Sequence, residues 1–493
     1  MSQCLTGDLS SAPILDAFEN YHGSFFDLDR GVALDGGGLR IFRDRLAAAL
    51  REGGLSAGDR VIFCVGNGPT FPAGLAAVLQ AGGSPLLLHP KSPPAELKRT
   101  ALRLGARLVI ADDVSSPDWQ SEFRAKARLA AHGPFELFAA PVEGGAVSSD
   151  RAALCLPGVP LHPTSGTTGL PKVAVRPARA AEAEARHYIA TIGVTGDDAI
   201  LAVAPMCHAY AYGLAVMVPL LSGAHVVSMR NFQATLAVEA LNSGRVTIFP
   251  AVPAMLDVLL LDESQGTWNS VECVLTAGSP LPERTATRFR EKTGITVRPL
   301  YGTTETGGIA VAAADGPSLL TGQVGPAMQG VETQIARDSE SGDAPAVVGH
   351  LRIRSSSMMA GYLGQGTIDE SMVTDGWFDT GDLALLDSRG IIQLMGRESE
   401  VINVEGSKVI PCEVEEVIAA LPGVHDVKVY AGRRRNGSHF VKAAVVCDPQ
   451  VEPSAIQTHC ERNLVYYKCP ERIILVDSLP RSPAGKILRD QLP

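Results

Sequence analysis

The sequence lacks the features that mark disulfide-bonded, secreted and nucleic-acid-binding proteins. Its nine cysteines form no C-x-x-C pair and their odd number completes no disulfide framework, so we expect reduced thiols in a cytoplasmic protein. The formal net charge is −10, from 53 acidic and 43 basic side chains, which argues against a nucleic-acid-binding surface. Internal repeats and low-complexity tracts are also missing. The composition is therefore that of an acidic globular protein.

Targeting and membrane segments are not expected either. Residues 1–16 contain acidic side chains and no basic flank before an apolar run, which is not the pattern of a signal peptide. The most apolar run, 212–229, is interrupted by Pro219, Gly223 and His225. This run fits a buried helix and strand better than a membrane span.

The length and the alternation of patterns predict the domain organisation. A chain of 493 residues is too long for one hydrophobic core, so two or three domains are expected. Helix and strand patterns alternate over residues 40–111 and again over 199–300, which predicts two α/β layers. Residues 115–151 show no clear pattern and are predicted to be irregular. Short strands and turns over 323–394 predict a small distorted β-barrel or sheet, and the residues from 400 onward suffice for a small α+β domain.

A loop rich in Ser, Thr and Gly lies at 162–172, with the sequence HPTSGTTGLPK. Its hydroxyls, its glycines and its terminal lysine offer an anion many donors and a backbone that can bend around it. The loop lacks the G-x-x-x-x-G-K-[ST] spacing, and residues 173–175 after it have a strand pattern instead of a helix pattern. We therefore predict a phosphate-binding loop, with a flexible linker as the alternative. The candidate residues are Thr164, Ser165, Gly166, Thr167, Thr168, Gly169 and Lys172.

Two polar segments follow predicted strands of the second layer. Residues 277–280 (AGSP) come after the strand at 271–276, and residues 301–305 (YGTTE) come after the strand at 296–300. Ligands of open α/β sheets gather at the carboxyl ends of the strands. Both segments are therefore expected to border a ligand site.

Five motifs, taken in chain order, resemble those of the adenylate-forming (ANL) superfamily of acyl-CoA synthetases, luciferases and peptide-synthetase adenylation domains. They are TSGTTGLPK at 164–172, YGTTE at 301–305, GWFDTGD at 376–382, GR at 396–397 and PRSPAGK at 480–486. The resemblance extends from about residue 35 to the end of the chain. It implies an α/β fold with a large N-terminal adenylation domain, 1–397, built of two α/β layers and a small distorted β-barrel. A small mobile α+β lid domain would follow at 400–493, with the hinge at Ser399.

The resemblance also implies an AMP-forming acid–thiol ligase, an acyl-CoA synthetase that uses ATP, Mg²⁺ and coenzyme A. A carboxylate would attack the α-phosphorus of ATP to give an acyl-adenylate and pyrophosphate, and a thiol, usually that of coenzyme A, would then displace AMP. One alternative is a stand-alone adenylating enzyme that loads the phosphopantetheine of a carrier protein. Another is a catalytically inactive homologue that acts as a binding protein. A monomer or a homodimer is expected.

The matched positions imply roles in the first step. Lys486 would bridge carboxylate and phosphate oxygens, Thr304 would donate to the α-phosphate, and Glu305 would hold Mg²⁺, which prefers oxygen ligands. Asp382 would accept the ribose hydroxyls, with Arg397 as a further donor. The alternatives are a surface or helix-capping carboxylate for Glu305, a turn aspartate for Asp382 and an exposed lysine for Lys486. The other nucleotide-binding candidates, with Tyr301 against the adenine, are Gly278, Ser279, Tyr301, Gly302 and Thr303.

His208 lies where the family has an aromatic residue or a histidine that gates the acyl pocket, and it completes the candidate catalytic set. A core histidine is the alternative. The absence of an aspartate in this region argues against an amino-acid substrate. Because many candidate pocket residues are small, we expect a bulky or aromatic hydrophobic acid, with medium-chain fatty acids and polycyclic acids left open. The pocket candidates are His208, Ala209, Tyr212, Gly213, Ala277, Gly302, Thr303, Gly307 and Gly308.

Positions after the hinge imply the second step. The family more often has aspartate or lysine where this chain has Ser399. Asn403, Gly406 and Lys408 match positions that face the active site in the thioester-forming orientation, and Gly406 would keep the thiol tunnel open because it has no side chain. The three arginines at 433–435 could contact the 3′-phosphate of coenzyme A, or could form a solvated loop.

Overall fold

The computed structural model describes residues 9–112, 123, 127–143, 158–164, 172–261, 268–314, 322–336, 348–364, 367–404, 407–434, 438–481 and 487–493. The chain divides into two compact units. The first unit contains Met1–Leu319, Pro326–Glu332 and Ile353–Phe378, and the second contains Leu320–Gly325, Thr333–Arg352 and Asp379–Pro493.

The helices of the described residues are short to medium in length. They are Ala12–Glu19, Gly36–Glu52, Thr70–Gln80, Pro94–Leu104, Ala178–Ile192, Ala209–Tyr212, the π-helical Gly213–Met217, Val218–Ser222, Ala234–Asn242, Pro253–Leu261, Glu283–Thr293, Pro411–Ala419 and Pro453–Asn463, with 3₁₀ turns at Glu398–Glu400, Tyr466–Lys468 and Arg489–Gln491. None of these described helices combines the length and the apolar character that crossing a membrane requires.

The strands are numbered in chain order. They are β1 (Ser24–Asp27), β2 (Val32–Asp35), β3 (Arg60–Cys64), β4 (Ser84–Leu87), β5 (Leu108–Ala111), β6 (Ala127–His132), β7 (Phe135–Pro141), β8 (Leu161–Thr164), β9 (Lys172–Val175), β10 (Ala199–Ala202), β11 (His225–Ser228), β12 (Ile248–Ala251), β13 (Cys273–Thr276), β14 (Val297–Thr303), β15 (Gly307–Val311), β16 (Gln323–Gly325), β17 (Val331–Ala336), β18 (Gly349–Ser355), β19 (Gly361–Leu363), β20 (Ile368–Asp369), β21 (Val373–Thr374), β22 (Trp377–Leu386), β23 (Ile392–Arg397), β24 (Ile402–Val404), β25 (Ser407–Val409), β26 (Val424–Arg433), β27 (His439–Cys447) and β28 (Arg472–Leu475).

Two α/β sheets form the first unit, as the alternating patterns predict. One sheet has the order β20-β19-β9-β8-β4-β3-β5-β7-β6 and the other β15-β14-β13-β12-β10-β11-β1-β2. The central strands of each sheet are parallel, and β4, β5, β10, β12 and β13 are buried along their whole length. Continuous burial is expected where helices cover both faces of a parallel sheet.

The prediction that residues 115–151 are irregular is wrong over 127–141. Strands β6 and β7 pair antiparallel there, and Gly133 adopts φ +58° in the turn between them. Phe135 and Leu137 are buried, which anchors the hairpin on the sheet edge. The sequence pattern is weak because β6 (ARLAAH) is rich in alanine, a poor strand former.

The predicted distorted barrel is an open sheet. Its strand order is β16-β23-β22-β18-β17, with β21 paired to β22, and no pairing among the described residues closes it into a barrel. The last part of the second unit is the expected α+β domain. A three-stranded sheet, β26-β27-β28, packs its buried side chains with those of the helices Pro411–Ala419 and Pro453–Asn463.

A single buried amide joins the strand ends of the two sheets of the first unit. The side chain of Asn67, which follows β3, donates from Nδ2 to the carbonyl oxygens of Ala202 (3.2 Å), Ala204 (3.0 Å) and Met229 (3.2 Å). Its Oδ1 accepts from the backbone N–H of Met206 at 2.8 Å. Asn67 therefore fixes the backbone that leads from β10 to His208.

Replacing this amide tests how strongly it joins the sheets. Asn67→Ala removes the side-chain hydrogen bonds of three buried carbonyl groups and one N–H, so we expect the free energy of unfolding to fall by about 2–4 kcal/mol. Asn20→Ala, which removes one exposed side-chain hydrogen bond to Asp16, is the matched control and should cost less than about 1 kcal/mol. Chemical denaturation measures both variants. Equal losses would contradict the role given to Asn67.

Candidate active site

The two ends of the predicted phosphate loop are held together as paired strand residues. Thr164 ends β8, Lys172 begins β9, and the two are register partners, with the hydroxyl of Thr164 donating to the carbonyl oxygen of Lys172 at 3.4 Å. The strand predicted after the loop is thus confirmed. The candidates Ser165, Gly166, Thr167, Thr168 and Gly169 lie outside the described residues.

A tight turn joins β14 to β15 and carries Thr304 and Glu305. The hydroxyl oxygens of Thr303 and Thr306 lie 3.0 Å apart across it, and the N–H of Thr306 donates to Oγ1 of Thr303 at 3.2 Å. Glu305 is half-buried and caps no described helix. The backbone N–H of Met359 donates to the carbonyl oxygen of Glu305 at 2.7 Å. The turn is therefore held both by its own threonines and by the segment that contains Met359.

Tyr362 connects the lysine of the loop with this turn, and sequence reasoning missed it. Its hydroxyl donates to Oε1 of Glu305 at 2.6 Å, while Nζ of Lys172 lies 4.8 Å from the centroid of its ring. Tyr362 sits on β19, which pairs with β9 through Ala174. Tyr362 lies outside every motif, so the sequence alone did not mark it. A cation, an aromatic ring and a carboxylate therefore form one contact chain.

The segment 277–280 follows β13, as predicted. The predicted strand 296–300 extends to Thr303 as β14, so residues 301–303 of the YGTTE segment lie on that strand. Because β13 and β14 pair in parallel, both segments lie at the carboxyl ends of neighbouring strands. Gly278 is exposed and adopts φ +89°, a conformation that favours glycine. Ser279 and Tyr301 are half-buried, and Gly302 is exposed.

His208 is an exposed residue at the start of the helix Ala209–Tyr212, so the core-histidine alternative is not supported. Its ring lies 5.9 Å from that of His89. Burial, followed by the charge of Lys91, lowers the pKa of His89. Burial raises the pKa of the neighbouring Cys207 to about 12. A thiolate nucleophile beside His208 is therefore excluded near neutral pH.

Three of the pocket glycines pack against a buried polar cluster. A Cβ at Gly213 would lie 2.8 Å from Oε1 of Glu184, and one at Gly307 would overlap the same carboxylate group. A Cβ at Gly308 would lie 2.6 Å from the hydroxyl of Tyr188. Close packing thus explains their small size without an open cavity. The other pocket candidates are Ala209 and Thr303, both half-buried, and Ala277 and Tyr212, both buried.

The same cluster contains buried polar atoms without a protein partner. Both ring nitrogens of His162, the hydroxyl of Tyr212, and Nε and Nη1 of Arg176 make no hydrogen bond to any residue that the structure describes. The rings of His162 and Tyr212 meet edge to face at 4.9 Å. Burial, and then the charges of Arg176 and His208, holds the pKa of His162 well below its ordinary value of 6.5. His162 is thus neutral when the protein is folded near neutral pH.

In the second unit, Asp382 and Arg397 are register partners on β22 and β23. Nε of Arg397 lies 2.8 Å from Oδ1 of Asp382. Asp382 is buried within a long strand, and its N–H donates to Oγ1 of Thr380 at 3.1 Å. It is therefore a strand residue and not a turn aspartate. A carboxylate held next to an exposed guanidinium can accept a pair of hydroxyl donors.

The candidates for the hinge and the second step are described only in part. Ser399 is exposed in the 3₁₀ turn Glu398–Glu400, and Asn403 is exposed on β24 with Lys408 as its register partner on β25. The side chain of Lys408, and the whole of Gly406 and Lys486, lie outside the described residues.

The arginines at 433–435 have different surroundings. Arg433 is exposed at the end of β26, whereas Arg434 forms an ion pair with Glu471 and stacks on Phe440. Arg435 lies outside the described residues. Neither Arg433 nor the ion pair of Arg434 tests the predicted contact with the 3′-phosphate of coenzyme A, which stays a prediction.

The oxygen donors of the turn fit the expected Mg²⁺. Glu305 is half-buried with one carboxylate oxygen bonded to Tyr362, and Thr304 stands beside it. No group of three or more His, Cys, Asp or Glu side chains in the described part of the chain could enclose a metal ion. Mg²⁺ commonly keeps waters and is held by one or two carboxylates together with substrate phosphates, so an incomplete protein site suits it.

The chain matches the model of the AMP-binding enzyme family over residues 29–363 and that of the AMP-binding enzyme C-terminal domain over residues 413–486. It belongs to the AMP-binding enzyme family. These matches and the relatives described next confirm the predicted superfamily. They also confirm the predicted enzyme class, an AMP-forming acid–thiol ligase.

Two curated relatives and one solved structure illustrate the match. The chain is 27% identical to a 4-coumarate–CoA ligase of Pinus taeda, over 92% of this chain and 88% of that protein. It is 29% identical to the fatty acid–[acyl-carrier-protein] ligase ScoC of Streptomyces coeruleorubidus, over 91% and 89%. The structure of ATP-bound MatB from Rhodopseudomonas palustris, 23% identical, superposes with a TM-score of 0.82 over 98% of both chains and supports the fold.

The buried histidine gives a pH-dependent stability. Because its folded pKa is lowered, the unfolded chain takes up the proton first, so stability is full above pH 6.5 and declines as the pH falls. We expect His162→Phe to reduce this decline by about 1 kcal/mol per pH unit between pH 6.5 and 5.5. Urea denaturation at several pH values measures the slopes. Parallel profiles for the two proteins would contradict the prediction.

Proposed function

We propose that this protein is an acyl-coenzyme A ligase that activates a bulky, aromatic or otherwise hydrophobic carboxylic acid. One observation carries the proposal: the contact chain from Lys172 through Tyr362 to Glu305. It joins a cation at the end of the predicted phosphate loop to a carboxylate on the turn after β14. Membership of the AMP-binding enzyme family supports the same reaction class.

In the first step, a carboxylate oxygen attacks the α-phosphorus of ATP, and pyrophosphate leaves. The two reactants are anions, so the site must supply positive charge and aligned donors. Lys172 and the hydroxyls of the loop would hold the β- and γ-phosphates, Thr304 would donate to the α-phosphate, and Lys486 would bridge the reacting oxygens. Glu305 would hold Mg²⁺, which would supply further positive charge beside the phosphates.

Different residues bind the ribose of the nucleotide and allow the lid to move. Asp382 accepts the ribose hydroxyls, and Arg397 orients its carboxylate; their 2.8 Å contact supports this role. A lid comprising 400–493 then turns about Ser399, which lies in an exposed 3₁₀ turn between β23 and β24. In the second step, the thiol sulfur attacks the acyl carbon, AMP leaves, and the thiol proton passes to solvent.

Two observations support an aromatic acid. The related protein of Pinus taeda is named for 4-coumarate, an aryl acid. The exposed ring of His208 and the ring of His89 lie 5.9 Å apart and offer flat surfaces to a ring-bearing substrate. Three pocket glycines pack against Glu184 and Tyr188, so their small size does not indicate an open pocket, and the two histidine rings are the structural support for an aromatic substrate.

A carrier protein is the second candidate acceptor. The similarity to a ligase named for an acyl-carrier-protein supports it, because that acceptor also ends in a thiol. Both acceptors need the same adenylation step. We also propose a cytoplasmic location, since Cys207, Cys273 and Cys460 are free buried thiols, as in proteins of reducing compartments.

Pyrophosphate–ATP exchange tests the proposal. The protein is incubated with labelled pyrophosphate, ATP, Mg²⁺ and a panel of aryl, medium-chain fatty and polycyclic acids. We expect acid-dependent exchange, strongest with aryl acids, and subsequent AMP release that depends on added coenzyme A. Release that depends only on a phosphopantetheine-bearing carrier would favour the second candidate. No exchange with any acid would contradict both.

Lys486→Ala separates the two steps. The loss of the bridging cation should lower acid-dependent exchange by at least about 100-fold, because removal of a transition-state charge partner costs several kcal/mol. Thioester formation from supplied acyl-adenylate should stay within about threefold of wild type. Gly406→Leu is the reciprocal control and should block the thiol while leaving exchange intact. Loss of both steps in Lys486→Ala would contradict its assignment.

A further inference from the structure

We propose that Arg176 and Glu184 are positioning residues for adenylation: their buried ion pair holds the turn that carries Thr304 and Glu305. The proposal rests on the proposed function, because it concerns the orientation of two residues assigned to the first step. It gives a role to a charged pair that no motif in the sequence revealed.

The pair lies in the interior of the first unit. Nη2 of Arg176 is 2.8 Å from Oε2 of Glu184, and the two side chains are 0% and 1% exposed. Burying two charges costs more free energy than one such contact usually returns, and well-packed apolar residues often serve stability as well. The other two nitrogens of the Arg176 side chain have no hydrogen-bond partner among the described residues. Stability alone therefore gives little reason for the pair.

Glu184 holds the far end of the turn. Its Oε1 accepts the backbone N–H of Gly308 at 3.1 Å. Gly307 adopts φ +74°, and a Cβ there would overlap the carboxylate group of Glu184. The turn can approach Glu184 this closely only because Gly307 has no side chain.

Arg176 holds the near side of the turn through a second segment. Its Nη2 donates to the carbonyl oxygen of Ser357 at 3.3 Å, and the hydroxyl of Ser357 donates to the carbonyl oxygen of Thr306 at 2.7 Å. Two residues further on, Met359 donates to the carbonyl oxygen of Glu305. The pair thus reaches the turn from both sides.

Arg176 and Glu184 also lie shortly after the phosphate loop in the sequence. Arg176 comes four residues after Lys172, and Glu184 lies on the helix Ala178–Ile192 that continues from β9. The segment that begins with β9 and continues into this helix therefore carries both the loop lysine and the support of the turn. Displacing the turn by about 1 Å would misalign donors that must face one phosphorus, an error that can cost about 100-fold in rate.

Three variants test the proposal. Glu184→Leu removes the acceptor, and Glu184→Gln keeps an acceptor for Gly308 and Arg176. Glu182→Gln is the matched control, since Glu182 lies on the same helix and forms an ion pair with the exposed Arg186. We measure kcat and KM for acid-dependent pyrophosphate exchange, thioester formation from supplied acyl-adenylate, and amide hydrogen exchange over residues 300–311.

We expect Glu184→Leu to lower kcat of exchange about 100-fold, with KM for the acid within about threefold and thioester formation retained. Glu184→Gln should recover to within about tenfold of wild type, and Glu182→Gln should match wild type. Amide exchange over 300–311 should accelerate only in Glu184→Leu. Unchanged kcat in Glu184→Leu, equal loss of both steps, or no recovery with glutamine would overturn the proposal.

If Glu184→Leu does not fold, Arg176→Met combined with Glu184→Met replaces it, since an apolar pair leaves no unpaired buried charge. The double variant should show the same loss of exchange with a melting temperature near that of wild type, and wild-type kcat in it would overturn the proposal. Failure of the wild-type protein to exchange with any acid would contradict the proposed function instead. Amide exchange would then still decide whether the pair holds the turn.

Discussion

Electrostatic repulsion between a carboxylate and a triphosphate is the constraint that the proposed site must overcome. In water the two anions would rarely meet at one phosphorus, so the protein must hold positive charge and aligned donors in fixed places. The first unit places Lys172 at the start of one strand and Thr304 and Glu305 on a turn after another, with Tyr362 in contact with Lys172 and Glu305. The described residues thus provide a cation and a carboxylate at fixed distances.

Rigid support for these groups comes from buried polar contacts that bridge segments far apart in sequence. Asn67 ties the ends of two sheets together through four backbone groups. Arg176 and Glu184 hold the turn after β14 from two sides. Each such contact adds little net stability. It nevertheless fixes the orientation of the groups that it joins, because leaving a buried hydrogen bond unmade is costly. A site whose donors must converge on one atom needs side chains that are held in fixed orientations.

The sequence predicted the elements whose signals are local. Alternating strands and helices lie within 60–111 and 199–303, close to the ranges where the patterns predicted two α/β layers, because apolar runs and glycine or proline boundaries are strong local signals. The helix Gly36–Glu52 begins four residues before residue 40, where the predicted alternation of helices and strands begins. Its N-cap Asp35 accepts from the N–H of Gly38 at 2.7 Å and outweighs the low helix propensity of three glycines. The motif residues were found because they occur together in linear segments.

What the sequence did not predict depends on contacts between distant segments. Tyr362 and Glu184 lie outside every motif, and only the folded chain brings them to Glu305 and Gly308. The small residues at Gly213, Gly307 and Gly308 suggested an open pocket, yet their size accommodates buried side chains. A glycine required by close packing and one required by a ligand look the same in one sequence.

The most direct measurement of the central claim follows the oxygen atoms of the substrate. An aryl acid labelled with ¹⁸O in its carboxylate is converted with ATP and coenzyme A, and the nucleotide product is analysed by mass spectrometry. Attack of the carboxylate on the α-phosphorus predicts AMP that carries one ¹⁸O atom from each acid converted. Unlabelled AMP, or label in ADP or inorganic phosphate, would contradict the account.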